Sequence, residues 1–194
     1  GYTVIRRLFS LNFLKKLERA VLKKSWSDIH NDDLNVLIDA SKCSLSSSHN
    51  LVNHIDYFKS LYESEKIKSF YKDLMGTKCD QEKKINSSYF FKQKISGNIK
   101  LHQDNAYFNL VNGLDALTFY VPVHYQSRAI GTIFYYEGSH QLGDLTHVPE
   151  GNIGASMCLE KNKSLKKLSK FKIDYLELEP GDCVLHNALV VHGT

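Results

Sequence analysis

The chain has 194 residues, a formal net charge of +4 and 42% hydrophobic residues, which suits a single globular domain over residues 1–194. Basic and acidic residues are interspersed, so the chain has no long basic stripe of the kind that indicates nucleic-acid binding. No apolar run approaches the roughly 20 residues of a membrane-spanning helix. The four scattered cysteines form no C-x-x-C pair, which argues against a zinc or redox motif and predicts reduced thiols in a cytoplasmic protein. The composition leaves the oligomeric state open.

Helices are predicted for the first part of the chain, about residues 10–76. The predicted helices cover residues 11–24, 31–41 and 51–75, and a loop is predicted at 46–50. Ser10 is a suitable N-cap for the first helix, and apolar side chains recur in it at helical spacing. Gly76 is a favourable residue for ending the last helix.

Strands are predicted after Gly76, where segments rich in aromatic and β-branched residues alternate with Gly, Asn, Asp and Pro. They cover residues 89–91, 116–125, 132–136, 173–178 and 183–191, with turns at Asn112-Gly113, Glu137-Gly138 and Pro180-Gly181-Asp182. Residues 144–169 are polar and are predicted as a long loop or a short helix. Helices before strands predict an α+β fold, a β-sandwich or jelly roll flanked by N-terminal helices.

The tripeptide H-x-D occurs three times, and predicted secondary structure separates the copies. On a strand, residues i and i+2 point to the same face and can bind one metal ion, whereas on a helix they diverge. His54-Ile55-Asp56 lies in a predicted helix. His30-Asn31-Asp32 lies at a predicted helix start, where Asn or Asp serves as a cap. His102-Gln103-Asp104 lies in the strand-rich part and is therefore the candidate metal-binding pair.

A third ligand is needed, because mononuclear iron oxygenases commonly use two histidines and one carboxylate. The downstream candidates are His124, His140, His147, His186 and His192. His192 follows an apolar strand and precedes Gly193, a position that suits a ligand facing an open cavity. The alternative for any lone histidine is a hydrogen-bonded residue in the core or beside a ligand, and we expect this of His186.

Three motifs occur in a fixed order along the chain. They are His102-Gln103-Asp104, then Gly131 with Gly138-Ser139-His140, then Gly181-Asp182 with His192-Gly193-Thr194. This order resembles the phytanoyl-CoA dioxygenase family of Fe(II)- and 2-oxoglutarate-dependent oxygenases. Residues 1–6 also resemble the first strand of that family, so the resemblance extends over most of the chain. It selects His192 as the third ligand and implies that Gly138-Ser139-His140 is a turn near the pocket mouth.

The resemblance implies a double-stranded β-helix (jelly-roll) core over about residues 84–194, with Fe(II) bound by His102, Asp104 and His192 as the catalytic residues. It implies 2-oxoglutarate and O₂ as cosubstrates. The implied reaction is hydroxylation of an unactivated C–H bond of a small organic or acyl substrate. Related halogenases replace the carboxylate ligand with a small residue, so Asp104 favours hydroxylation.

Cosubstrate-binding residues follow from the same resemblance: Lys92, Gln103 and Tyr120. Lys92 matches the lysine of a family Lys-Pro-Pro-Gly-Ser-Gly segment, but its prolines are absent here, which makes Lys94 a rival. The alternatives are an exposed lysine at 92 and a core aromatic at 120. The family usually has an arginine about eleven residues beyond the second histidine, where its planar fork binds the distal carboxylate of 2-oxoglutarate. We therefore expect the sequence to be truncated at the C-terminus. The alternatives are that Lys92 alone supplies the counter-charge or that the protein binds the cosubstrate poorly.

Two alternatives to a 2-oxoglutarate oxygenase stay open at this point. One is a non-catalytic jelly-roll module in which the metal ion only stabilises the fold. The other is a cupin-type isomerase or dioxygenase that does not use 2-oxoglutarate. Enzymes of the second kind tend to cluster several histidines with a glutamate, which this sequence does not show.

Overall fold

The computed structural model describes residues 1–30, 33–39, 44–76, 85–91, 99–152 and 155–194. The chain divides into two compact units: Gly1–Leu14 with Lys94–Thr194, and Lys15–Gln93. Both units combine helices with antiparallel strands, which confirms the predicted α+β class. Among the helices in these ranges, none is long and apolar enough to cross a bilayer. The single-domain organisation stays a prediction.

The helices and strands are numbered in chain order. They are β1 (Tyr2–Ile5), α1 (Leu11–Ser27), β2 (Val36–Asp39), β3 (Ser44–His49), α2 (Asp56–Glu63), α3 (Glu65–Met75), β4 (Ser88–Phe90), α4 (Asn105–Phe108), β5 (Leu117–Tyr120), β6 (Phe134–Tyr136), β7 (His147–Asn152), β8 (Ala155–Leu159), α5 (Lys161–Leu168), β9 (Ile173–Tyr175), β10 (Cys183–Asn187) and β11 (His192–Gly193).

The first unit contains two small antiparallel sheets and a hairpin. One sheet has the strand order β1-β10-β5, the other has the order β11-β6-β9, and β7 pairs with β8. Apolar residues from both sheets form one buried cluster: Ile133, Tyr135, Leu176, Leu178, Val184 and Val190, with Tyr2, Val4 and Tyr120 packed against it. This shared cluster joins the two sheets, because each would otherwise expose an apolar face to water.

The second unit contains a sheet of order β2-β3-β4 with helices α2 and α3. The short helix predicted at 31–41 and the loop predicted at 46–50 are wrong over their described residues, because β2 pairs antiparallel with β3. Pairing between neighbouring strands overrides local preference here. Ser47 and Ser48 are fully buried, and the Ser48 hydroxyl lies 2.6 Å from that of Ser25, which satisfies both groups.

The other helix predictions depended on caps, and the caps are present. The backbone N–H of Phe13 donates to Ser10 Oγ at 3.2 Å at the start of α1. The helix predicted over 51–75 is interrupted at Ser64, whose side chain accepts from Ile67 N and caps α3. Gly76 ends α3 with φ +57°, a backbone conformation that glycine adopts easily.

The strand predictions locate the strands but make them too long. The segment predicted at 116–125 pairs only over Leu117–Tyr120, and the one at 183–191 contains β10 and a turn that leads to β11. Residues predicted as a polar loop or short helix form both the β7–β8 hairpin and α5. Hydrophobic pattern therefore found β4, β5, β6, β9 and β10 but not the β7–β8 hairpin, and the ends of the strands depend on their pairing partners.

The predicted Pro180-Gly181-Asp182 turn precedes β10, and Asp182 fixes it. Its carboxylate accepts hydrogen bonds from Arg7 N at 3.0 Å, Glu179 N at 2.9 Å and the Arg6 guanidinium at 2.6 Å. Burial alone would raise the pKa of Asp182, but these donors together lower it. The buried carboxylate thus ties the turn to the segment that follows β1.

Replacing Asp182 with alanine is expected to lower the free energy of unfolding by about 3 kcal/mol, since hydrogen bonds to charged groups contribute roughly 1.5–3 kcal/mol each. Because the folded pKa is lowered, the stabilisation by the charge is fully present above about pH 4, the ordinary aspartate range, and is lost as the pH falls further. Urea unfolding of wild type and Asp182→Ala measures the loss of stability. Urea unfolding of wild type and Asp182→Asn from pH 7 down to pH 3 measures how the stabilisation by the charge changes with pH. A difference in stability that grows on acidification would contradict the assignment.

Candidate metal centre

Three side chains of the first unit meet at a buried point: His102, Asp104 and His192. One potential ligand atom of each lies within 4.8 Å of the others. Nε2 of His102 and Nε2 of His192 lie 3.6 and 3.5 Å from the same oxygen of Asp104, Oδ1. The two histidines are only 7% and 5% exposed. The structure therefore brings together the three residues that the sequence selected.

Backbone pairing places the two histidines side by side. His102 N donates to His192 O at 3.0 Å, and His192 N donates to His102 O at 3.1 Å. Asp104 was expected on a strand, but its backbone is helical (φ −60°, ψ −26°) and it lies at the N-cap of α4. The carboxylate reaches the histidines from a tight turn instead, so the same three residues converge by a different backbone path.

Hydrogen bonds fix which nitrogen of each imidazole carries the proton. His102 Nδ1 lies 2.8 Å from Lys100 O, and His192 Nδ1 lies 3.0 Å from Val190 O. A carbonyl only accepts, so Nδ1 is the protonated nitrogen and Nε2 of the neutral ring carries a lone pair. Both lone pairs point toward Asp104 Oδ1 at distances too long for hydrogen bonds.

Three electron-pair donors thus face one another at a buried point. A cation between them would accept all three electron pairs. Two imidazole nitrogens and one carboxylate oxygen are the ligand set of mononuclear iron sites, and hydrogen bonding of the far imidazole nitrogen is typical of metal-bound histidines. The donors present therefore fit a divalent metal ion. Among the residues that the structure describes, no other group of three or more histidine, cysteine or acidic side chains converges in this way.

The charge states suit the same role. Burial opposes ionisation of Asp104, but the proximity of His192 and His102 and the hydrogen bond from His186 hold the pKa of the carboxyl well below its usual value. Burial and the proximity of His192 lower the pKa of His102. An ionised carboxylate beside a neutral imidazole is the protonation state that binds a metal.

The second carboxylate oxygen, Asp104 Oδ2, is hydrogen-bonded by protein groups. It accepts from Thr118 Oγ1 at 2.5 Å and lies 2.8 Å from His186 Nε2. His186 Nδ1 in turn lies 2.8 Å from the Tyr135 hydroxyl. The expectation that His186 is a hydrogen-bonded histidine in the core or beside a ligand is confirmed.

The sequence of the whole chain decides the family. A family model described as phytanoyl-CoA dioxygenase matches residues 1–194. The chain belongs to this family. No curated protein sequence matches it.

Solved structures similar to this member of the phytanoyl-CoA dioxygenase family show the fold. EctD from S. alaskensis, crystallised with 2-oxoglutarate and 5-hydroxyectoine, has a TM-score of 0.75 at 17% identity. The match covers all of this chain and 65% of the EctD chain. EctD with bound Fe has a TM-score of 0.76 at 17% identity, with coverage of 100% and 66%. The chain thus spans just under two thirds of the length of EctD.

A second group of similar structures has other reactions. The epimerase SnoN, crystallised with Fe³⁺, α-ketoglutarate and nogalamycin RO, has a TM-score of 0.63 at 16% identity over 100% of this chain and 72% of its own. The α-ketoglutarate-dependent carbocyclase SnoK has a TM-score of 0.65 at 16% identity, with the same coverage. The shared fold therefore carries more than one kind of chemistry.

Gln103, predicted from the family resemblance to touch the cosubstrate, is fully buried and bound by backbone groups. Its Nε2 donates to Gly143 O at 2.9 Å and Leu189 O at 2.6 Å, and its Oε1 accepts from Leu145 N at 2.8 Å. Both amide hydrogens are thereby used. These bonds favour a structural role, in which Gln103 links the metal-binding turn to two neighbouring segments, and cosubstrate contact stays a prediction.

Replacing Gln103 with leucine is expected to lower the free energy of unfolding by about 3–5 kcal/mol, because three buried backbone groups lose their partners at roughly 1–3 kcal/mol each. Chemical unfolding measures the loss, and Gln141→Leu at an exposed position is the matched control. A Gln103→Leu protein of unchanged stability whose KM for 2-oxoglutarate rises would instead favour the predicted contact.

The other two predicted cosubstrate residues have different outcomes. Tyr120 lies on β5, on the same face as Thr118 by strand alternation, and packs against the apolar cluster. Its hydroxyl donates to Gln126 Oε1 at 2.8 Å, and burial raises its pKa. It is a core aromatic, and contact with a cosubstrate stays a prediction. Lys92 and its rival Lys94 lie outside the described residues.

The hydrogen-bonding roles of Thr118 and Tyr135 in the site were not predicted from the sequence. Thr118 lies opposite His186 in the β10–β5 register, and Tyr135 lies opposite His192 in the β11–β6 register. Neither belongs to a motif with the metal-binding residues. Only the pairing of strands distant in sequence brings them to Asp104 and His186, so the one available signal is their place in predicted strands.

Proposed function

We propose that this chain is an Fe(II)- and 2-oxoglutarate-dependent dioxygenase that hydroxylates an unactivated C–H bond of a small organic or acyl substrate. The observation that carries the proposal is the convergence of His102 Nε2, Asp104 Oδ1 and His192 Nε2 at a buried point. Membership of the phytanoyl-CoA dioxygenase family and the similarity to EctD support it. These three atoms would hold Fe(II).

The proposal includes a jelly-roll core. The sheets β1-β10-β5 and β11-β6-β9 are antiparallel and share one apolar cluster, as the two halves of a double-stranded β-helix would. His192 on β11 and its bridge partner His102 would then lie at one end of the barrel. The similarity in fold to EctD supports this arrangement.

The protein side of the chemistry follows from the ligand set. When bound, Fe(II) and 2-oxoglutarate would let O₂ convert 2-oxoglutarate to succinate and CO₂ while one oxygen atom enters the substrate C–H bond. Two neutral imidazoles and one carboxylate supply a single negative charge and leave open positions for cosubstrate and O₂. The two imidazoles are buried, and their hydrogen bonds to Lys100 O and Val190 O orient them before the reaction begins.

Cosubstrate binding by Lys92, Gln103 and Tyr120 belongs to the proposal as well, with Tyr120 on the strand that also carries Thr118. The partners are a small-molecule substrate and O₂. We place the enzyme in the cytoplasm, where the described cysteines Cys158 and Cys183, both free and buried, would stay reduced. Absence of nucleic-acid and membrane partners remains a prediction from composition.

Anaerobic addition of Fe(II) and then 2-oxoglutarate to the full-length protein tests the proposal. We expect a visible charge-transfer band that requires both additions, and formation of succinate when O₂ is admitted. A non-catalytic metal-binding module would bind Fe(II) but form no succinate. An enzyme that does not use 2-oxoglutarate would form neither the band nor succinate.

The reaction outcome needs a separate measurement, because SnoN is an epimerase and SnoK a carbocyclase. With a turned-over substrate in hand, a mass increase of one oxygen atom, taken from ¹⁸O₂, is expected. Succinate formation with a substrate product of unchanged oxygen content would contradict hydroxylation while leaving the Fe(II)- and 2-oxoglutarate-dependent activity in place.

A further inference from the structure

We propose that Thr118 and His186 are positioning residues that hold Asp104 as a single-oxygen ligand, and that Tyr135 fixes the proton of His186. The inference rests on the proposed function, because it concerns how this chain would present Asp104 to Fe(II). None of the three is a motif residue of the family resemblance, although Tyr135 lies between Gly131 and Gly138 and His186 lies between Asp182 and His192.

The two oxygens of Asp104 have separate partners. Oδ1 faces Nε2 of His102 and His192 at 3.6 and 3.5 Å. Oδ2 accepts from Thr118 Oγ1 at 2.5 Å and from His186 Nε2 at 2.8 Å. Thr118 and His186 are directly opposite each other on paired strands β5 and β10, so one sheet supplies both donors.

The direction of the hydrogen bonds along this network can be assigned. Asp104 Oδ2 only accepts, so His186 Nε2 carries the proton. In a neutral imidazole Nδ1 then carries the lone pair, and the Tyr135 hydroxyl donates to it at 2.8 Å. The network runs from Tyr135 through His186 to Asp104, with a donor and an acceptor matched at each step.

Packing holds Tyr135 in place. Its side chain is fully buried, and its ring stacks on that of Tyr2 with centroids 4.2 Å apart and planes 16° from parallel. The Tyr2 hydroxyl donates to Asp174 Oδ2 at 2.5 Å. Tyr135 also lies opposite His192 in the β11–β6 register. One tyrosine is thus adjacent to a metal-binding histidine and hydrogen-bonded to the histidine that orients Asp104.

The consequence concerns the number of open positions at the metal. A carboxylate with two free oxygens can bind through both and occupy an additional position. Two hydrogen bonds on Oδ2 oppose this, and they leave Oδ1 as the one oxygen that faces the two imidazoles. The open positions that a chelating cosubstrate and O₂ require are preserved in this way.

The test uses Co(II) as a spectroscopic substitute for Fe(II) in the full-length protein. His186→Leu and Thr118→Val each remove one donor to Oδ2, Tyr135→Phe removes the donor to His186, and His186→Gln keeps an N–H group that can reach Oδ2. We expect Co(II) affinity to fall about 10–100-fold in His186→Leu and about tenfold in Thr118→Val, the range for residues that hydrogen-bond a ligand. His186→Gln is expected to recover most of the affinity.

The visible spectrum of bound Co(II) gives a second measurement, because it changes when Asp104 gains a second bond to the metal. A changed spectrum is expected in His186→Leu and Thr118→Val, and an unchanged one in His124→Leu, which removes an exposed histidine. Wild-type affinity and spectrum in both donor-removal variants would overturn the inference. If His186→Leu fails to fold, Thr118→Val decides the question. Tyr135→Phe is expected to lower Co(II) affinity less than His186→Leu does, because His186 loses only its own donor, and wild-type affinity in Tyr135→Phe would overturn the role of Tyr135. Failure of wild type to bind Co(II) would instead reject the proposed function.

Discussion

Replacing Asp104 with alanine is expected to abolish the formation of succinate from 2-oxoglutarate and to weaken Fe(II) binding by more than about 100-fold, beyond the loss caused by changing a residue that only orients a ligand. The substitution removes the one negative charge among the three proposed ligands and leaves two neutral imidazole nitrogens, which bind Fe(II) poorly by themselves. Fe(II) titration under anaerobic conditions and a succinate assay measure the two effects.

Asp56→Ala is the matched control for this substitution. Asp56 ends another copy of H-x-D, but it is exposed in the first turn of α2. The histidine of that copy, His54, lies 2.8 Å from a carboxylate oxygen of Asp33 instead. Asp56→Ala should bind Fe(II) as the wild type does. Retention of Fe(II) binding in a folded Asp104→Ala protein would reject this site, and so would equal losses in both variants.

Local sequence patterns predicted the features that depend on a few neighbouring residues. Ser10 as a cap, Gly76 as a helix stop and the turn at Pro180-Gly181-Asp182 are each determined by one or two residues whose backbone preferences are strong. The wrong predictions, a helix at 31–41 and a loop at 46–50, lie where β2 and β3 pair. A serine-rich strand has no distinctive local signal, because its stability comes from its partners.

Some residues of the candidate site were predicted from local motifs, and others were not predicted because they depend on strand pairing. The ordered motifs selected His102, Asp104 and His192, and the structure brings them together. His102 and Asp104 were expected to converge by alternation on a strand. They do converge, but Asp104 lies in a helical turn. Thr118 and Tyr135 were missed because their roles depend on strand register, which a single sequence does not specify.

Among the glycines that the structure describes, Gly181 is the one where an added methyl group is expected to cost the most stability. Its φ of +96° is rarely adopted by other residues, and a Cβ there would lie 2.3 Å from the backbone oxygen of Phe9. Phe9 N also donates to Gly181 O at 3.0 Å, so the two backbone segments are already in contact. We expect Gly181→Ala to lower the free energy of unfolding by about 3–4 kcal/mol, from backbone strain and overlap together.

Gly143→Ala separates these two contributions. Gly143 also has a positive φ, +67°, but a Cβ there would meet no atom within 4 Å. Only the backbone strain applies, since φ +67° with ψ −158° is a conformation that is almost confined to glycine, so a loss of about 1–3 kcal/mol is expected in urea unfolding. Equal losses in the two variants would show that the contact with Phe9 relaxes freely. A larger loss at Gly181 would show that the turn before β10, the strand that carries His186, is held by direct backbone contact.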